Sequence, residues 1–169
     1  SLGDTMTSLD SKAVEKALWD LEAGREKKAF LTLKRLAEAG NKAAFPMLGY
    51  LYDVGQGTWR DPKLAMHWYM LGYRSGSATC ASNIATVYRD AGNARREFEW
   101  YQRAVALGDG DAKLELAIRL LSGKGVRRNR KAAIVLLKEV LANARDTSEA
   151  ARDTARQLLW CSETKRRVA

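Results

Sequence analysis

The 169 residues are 46% hydrophobic with only two prolines, which is enough apolar material for one sizeable core and excludes a long disordered tract. No stretch approaches about eighteen consecutive apolar residues, so a helical membrane span is excluded. The formal charge is +9 and lies late: residues up to Gly108 carry 15 basic and 12 acidic side chains, those from Asp109 onward 14 and 8, a balance that favours acidic partners.

In chain order, SLGDTMT reads as a loose end, and Ser11 is a cap candidate for a helix over 11–23. Val14 stands where a capping box needs a glutamate, and Glu15 comes one position late. KKAFLTLKRLAEAG places Ala29, Leu33 and Leu36 on one face and ends at Gly40, which predicts a helix over 27–39. The next helix spans 42–54, with Pro46 tolerable near its start. Asp61 before Pro62 opens a helix over 62–75: the carboxylate accepts free amides, and proline sits where no amide bond is needed. Helices over 77–90, 94–107 and 111–122 follow, and Asn129 caps one over 130–143. Asp146 with Glu149 fits a capping box for a last helix over 147–160, whose Ala151, Ala155, Leu158 and Leu159 share a face. KRRVA reads as a second loose end, and Lys165-Arg166-Arg167 adds mobile positive charge.

These helices repeat. The 36 residues from Asn41 align with those from Asp109, so that Ala44, Leu48, Gly49 and Tyr52 fall opposite Ala112, Leu116, Ala117 and Leu120. Gly55 and Gly57 fall opposite Gly123 and Gly125, Asp61 opposite Asn129, and Trp68-Tyr69 opposite Leu136-Leu137. A shorter copy between them keeps Cys80, Ile84, Ala85, Tyr88, Trp100 and Tyr101 but loses the two-glycine loop. The closing residues Gly40, Gly76, Gly108 and Ala144 are therefore separated by 36, 32 and 36. The expected fold is all-α, a solenoid of antiparallel helical hairpins in one domain over 8–161. Its hairpins cover 11–39, 41–76, 77–108 and 109–144, with a capping helix over 147–160.

The run from Ala44 through Leu48, Gly49, Tyr52, Gly55, Gly57, Asp61 and Ala65 to Trp68 and Tyr69 resembles the signature of the Sel-one-like repeat (SLR) family, relatives of the tetratricopeptide repeats. The copy from Ala112 departs from it at Leu120, Asn129 and Leu136-Leu137, and the copy from Cys80 is more similar to an ordinary tetratricopeptide hairpin. The resemblance covers roughly residues 12 to 160. It implies a right-handed α/α superhelix and a non-enzymatic adaptor or scaffold that binds proteins, with first helices lining a concave groove.

Candidate site residues are those that vary between copies, because packing does not dictate them. On the first helices these are Met47, Tyr50 and Leu51, then Asn83, Thr86 and Val87, then Lys113, Ile118 and Arg119, groove contacts for a protein or peptide, with core residues the alternative for the apolar ones. Tyr50 is the strongest, since its amphipathic ring suits a buried contact with one polar edge. Trp59, in the loop before Asp61, either folds back over its hairpin or anchors a partner.

The densest basic run, Lys124, Arg127, Arg128, Arg130 and Lys131, has three readings: a solvated loop, a dock for an acidic protein, or a contact for nucleic acid or another polyanion. Cations at a helix start oppose its dipole, so Arg130 and Lys131 do not serve that helix. Gly55 to Gly57 and Gly123 to Gly125 lack the strand–loop–helix context of a phosphate loop. His67 stands alone, Cys80 and Cys161 are expected to be buried thiols, and no fingerprint of a catalytic site, metal or cofactor stands out. The lack of a visible signal leans towards the cytoplasm, with a periplasmic or secreted place open if a leader has been removed.

Overall fold

The computed structural model describes the backbone of residues 2–167 and the side chains of residues 11–161. Its helices are α1 (Leu2–Glu22), α2 (Glu26–Glu38), α3 (Ala44–Val54), α4 (Pro62–Arg74), α5 (Ala78–Asp90), α6 (Ala94–Ala106), α7 (Gly110–Ser122), α8 (Arg130–Ala142) and α9 (Glu149–Arg167), with no strand among the described residues.

Short polar side chains start most of them by accepting amides that the first turn leaves free. Asp61 Oδ1 accepts from Lys63 N and Leu64 N, both at 3.0 Å, with Pro62 as the first helical residue. Asn129 accepts from Ala132 N at 3.0 Å, Asn93 from Arg96 N at 3.1 Å, Asp109 from Ala112 N at 3.0 Å and Ser77 from Cys80 N at 3.2 Å. Pro46 is the third residue of α3, inside the turn whose amides have no helical acceptor.

Three starts and both loose ends differ from expectation. α1 begins at Leu2, so Ser11 lies inside the helix and caps nothing. No proline interrupts the residues before it, and extending an existing helix costs far less than nucleating one. α3 begins at Ala44, two residues late, because Asn41 Oδ1 accepts from Ala43 N at 3.0 Å and holds a turn there. The cap of α9 is Ser148, whose hydroxyl accepts from Ala151 N at 3.2 Å. Asp146 instead accepts from Asn143 Nδ2 at 2.5 Å and forms no capping box. α9 runs on to Arg167, through most of the second expected loose end. Ser1, Val168 and Ala169, and the side chains of Lys165, Arg166 and Arg167, lie outside the described residues.

The chain forms two compact units, Ser1–Asn83 and Ile84–Ala169, divided within α5. In the first, α1 packs on α2, α2 on α3 and α3 on α4. Buried Asp20 ties the turn after α1, accepting from Arg25 Nε at 2.6 Å and from Lys28 Nζ at 3.3 Å; with the Arg25 bond the largest influence, its carboxyl is held below the usual range. The repeat tyrosines fill this unit. Tyr52 meets Phe30 edge to face at 5.3 Å, and Tyr69 lies so close to Gly49 that a Cβ there would stand 2.5 Å from its ring. Ala44 and Ala65 are fully buried, and Trp68 is half-buried against Phe45 at 5.8 Å.

In the second unit, α6 packs on α7, α7 on α8 and α8 on α9. Leu114, Ala117, Ala133, Leu137 and Val140 form its core, and α9 covers them with Ala151 and Ala155, half-burying Leu158 and Leu159 alongside. Trp100 and Tyr101 are buried in the same unit. The expectation for the cysteines holds at Cys80, which is buried, and fails at Cys161, which is exposed on α9.

Both two-glycine loops are turns. Gly55 (φ +75°) and Gly123 (φ +77°) end α3 and α7 in the left-handed conformation. Gly57 and Gly125 serve contact as well: a Cβ on Gly57 would collide with the Glu26 carbonyl, and one on Gly125 with the Ala94 carbonyl. Each loop thus docks on the first residue of the second helix of the preceding hairpin, α2 or α6.

Candidate functional site

The residues singled out from sequence fall into separate environments. On α3 the inward face carries Ala44, Phe45, Leu48, Leu51 and Tyr52, all buried. Leu51 is therefore a core residue. Met47 is half-buried and Tyr50 is 44% exposed; with exposed Val54 they make an outward stripe at spacings of three and four. Val54 was missed from sequence because a lone valine before a turn carries no signal.

Asn83, Thr86 and Val87 on α5 are half-buried, with Asn83 ending the first unit and the other two in the second. Thr86 hydrogen-bonds the hydroxyl of Tyr101, whose ionisation burial pushes up. Lys113 pairs with Glu139 at 3.0 Å.

Arg119 does not face outward. It is 8% exposed, and its Nε donates to Glu97 Oε1 at 2.9 Å while its terminal nitrogen pairs with the same oxygen and with Glu115 Oε2 at 3.2 Å. Glu97 is fully buried, and its Oε2 has no hydrogen-bond partner. Burial opposes the Arg119 charge, but the carboxylates outweigh it and raise the pKa. This group clamps α6 to α7 and has no face left for a ligand. A separation of 22 residues hid the pairing from sequence.

The basic run lies on the second unit. Lys124, Arg127 and Arg128 are exposed in the loop between α7 and α8, and Arg130 and Lys131 are exposed at the start of α8. That first turn holds no acidic residue. Among the described residues, Arg127, Arg128 and Lys131 make no ion pair. The docking of Gly125 on Ala94 and Arg95 sets this loop against the start of α6, where Arg95 and Arg96 are exposed and share Glu99 at 3.3 Å each. The fold thus brings together two basic clusters that the sequence keeps some thirty residues apart. Such a surface can take up negative charge, with guanidinium forks matching carboxylates or phosphates.

On the first unit Trp59 is 92% exposed. It lines a shallow hollow of about 500 Å³ with Lys27, Phe30, Leu31 and the Gly55 to Gly57 turn. Among the described residues no cluster of His, Cys, Asp and Glu is placed to hold a metal ion, and no helix is long and apolar enough to cross a membrane.

The Sel1 repeat family model matches residues 47–77, 98–109 and 110–139. The gap over 78–97 is where the middle hairpin lacks the two-glycine loop. Among solved structures, a Sel1 repeat protein from Oxalobacter formigenes is similar at 22% identity with a TM-score of 0.67, over 77% of this chain and 53% of the other. A protective antigen of uropathogenic Escherichia coli strains that displays an SLR fold is similar at 26% identity with a TM-score of 0.63, over 79% of this chain and 32% of the other. The chain thus spans about half the length of the first and a third of the second. No curated protein is a significant match. The fold class is the all-α repeat solenoid of these structures.

Proposed function

We propose that this chain, which carries Sel1 repeats, is an adaptor that binds an acidic protein or peptide through the basic surface of its second unit. Sel1 repeat proteins typically mediate protein–protein interaction, and the family is generally a non-enzymatic scaffold. The observation that carries the finer reading is the pooling of Arg95, Arg96, Lys124, Arg127, Arg128, Arg130 and Lys131 at the docked loop, with Glu99 shared by Arg95 and Arg96. Charge so exposed adds little to folding stability, and two helix starts beneath it favour an anion over a cation. The Met47, Tyr50 and Val54 stripe of the first unit, taken by itself, is an apolar surface suited to contact with a protein. Basic contacts fix orientation and speed encounter, and apolar contacts slow release.

A second reading rests on the same guanidinium cluster: it would neutralise the phosphates of a nucleic acid or another polyanion. One experiment separates the two. A nuclease-treated lysate of the source cells is passed over the wild type and over a variant in which Arg127, Arg128 and Arg130 are changed to Glu. The adaptor reading expects a discrete protein that the wild type retains and the variant loses. Loss of all recovery with nuclease, and binding of anionic polymers alone, would replace it with the polyanion reading. In parallel, Tyr50→Ala should weaken a partner held by the α3 stripe with no change in far-ultraviolet circular dichroism, because the ring is outside the core.

A further inference from the structure

The hollow beside Trp59 continues along α2. It shares Lys27 and Leu31 with an adjoining hollow of about 590 Å³, lined further by Lys28, Thr32 and Arg35. Lys27, Leu31 and Arg35 are spaced four apart, so they stand in one row over about 12 Å of helix at 1.5 Å per residue. The two hollows form a single open trough, apolar at the Trp59 end and cationic at the Arg35 end. All of it belongs to the first unit.

Three features separate this trough from ordinary surface. First, Leu31 is 55% and Trp59 92% exposed, side by side with the rim of Phe30, which joins large apolar groups where single scattered ones are the norm. Secondly, the base is rigid: Gly57 packs on the Glu26 carbonyl, Gln56 Nε2 donates to Glu26 Oε1 at 2.9 Å, and Arg60 Nε donates to the Asp53 carbonyl at 2.7 Å. Thirdly, the charges are one-sided. Lys28 is matched by Asp20 and Glu26 is held by Gln56, but Lys27 and Arg35 enter no ion pair among the described residues.

We propose that this trough is a second docking site, for an acidic peptide segment bearing one large apolar side chain. That side chain, aromatic or long aliphatic, lies between Trp59, Leu31 and Phe30. A carboxylate about two residues away reaches Arg35, one turn beyond Leu31, and the Lys27 ammonium flanks the anchor on its other side. The step from Leu31 to Arg35 sets this spacing, because it is about 6 Å along the helix and an extended chain covers that in two residues at roughly 3.3 Å each. The proposal rests on the reading of the chain as a protein binder, and gives it a ligand class and a place distinct from the basic loop of the second unit.

The test is selection of phage-displayed random heptapeptides on the intact wild-type chain, followed by affinities of the enriched peptides, synthesised with a fluorescent label. Peptides that pair an aromatic or large aliphatic residue with Asp or Glu about two positions away are expected. Their affinity should fall by about tenfold or more with Trp59→Ala, the loss typical of a truncated aromatic anchor, and similarly with Lys27→Glu plus Arg35→Glu. The exposure of Trp59 means that Trp59→Ala folds; unchanged melting confirms that the loss is local. Arg127, Arg128 and Arg130 changed to Glu should leave these affinities within about twofold, because none of the three lines the trough.

No enrichment, or peptides that lack acidic residues, or affinities indifferent to Trp59→Ala, would overturn the proposal. So would self-association abolished by Trp59→Ala, seen by sedimentation, since a second copy would then occupy the trough. The adaptor reading is judged separately, by the lysate partner and its dependence on the second-unit arginines, so either can fail while the other stands.

Discussion

At the scale of single residues, the sequence names side-chain types, and the fold decides which of them meet water. Tyr50 and Leu51 are neighbours on α3, yet a rotation of about 100° per residue puts one outside and the other in the core. Arg119 and Arg127 were equally eligible as partner contacts, but Arg119 is enclosed by Glu97, Glu115 and Tyr101. That enclosure has a measurable consequence. Arg119→Met strands the buried Glu97 carboxylate and should cost about 3–5 kcal/mol in urea unfolding. Glu97→Met made on top of it should recover most of the loss, since an apolar pair needs no desolvated charge; a double variant no better than the single one would show that the pair is needed for packing. The two thiols offer a second check. Burial pushes the Cys80 thiol up and closes it off, despite the Ser77 hydrogen bond that acts the other way, and Cys161 is exposed. Maleimide at neutral pH should therefore modify Cys161 within minutes and reach Cys80 only on unfolding, read by mass spectrometry of the digested chain.

At the scale of helices and hairpins, the repeat made almost all of the fold legible. Period, caps and closing glycines located every helix to within a few residues, apart from the two chain ends, where helices run past the expected limits. What the period could not give was the reason for each repeat residue, and here the two full copies explain each other. Gly49 faces the ring of Tyr69 in one copy; the aligned residues in the other are Ala117 and Leu137, both fully buried. The larger side chain on the second helix goes with the smaller residue on the first, as close packing demands. Gly49→Ala alone drives a methyl into the Tyr69 ring and should destabilise by about 1–3 kcal/mol. Adding Tyr69→Leu copies the other hairpin and should restore a substantial part of that stability. Two losses that merely add, in thermal melts of the four proteins, would show that the pair is not the unit of packing. The joining of Arg95 and Arg96 to the Lys124–Lys131 run belongs to this scale too. It follows from the docking of Gly125, and no local pattern announces which earlier helix a turn glycine will touch.

For the whole molecule, the charge follows the division into units. Residues 1–83 carry 11 basic and 9 acidic side chains, a net +2, and residues 84–169 carry 18 and 11, a net +7. The imbalance was legible in sequence; the surface it gathers on was not. Charge and apolar contacts act on different stages of binding, because steering changes encounter while desolvated contacts change escape. For an acidic partner captured through the basic loop, changing Arg127, Arg128 and Arg130 to Glu should lower the association rate constant by about tenfold or more in dilute buffer. Raising the salt towards 1 M shortens the Debye length to about 3 Å and should bring the two proteins' association rates together. For a partner that the α3 stripe holds, Tyr50→Ala should instead raise the dissociation rate, with an association rate that keeps the wild-type salt dependence. Stopped-flow or surface-binding kinetics across a salt series reads both. If the charge-reversed protein associated as fast as the wild type at low salt, the net +7 would be no guide to the partner; if Tyr50→Ala changed only the association rate, the α3 stripe would lie outside the contact.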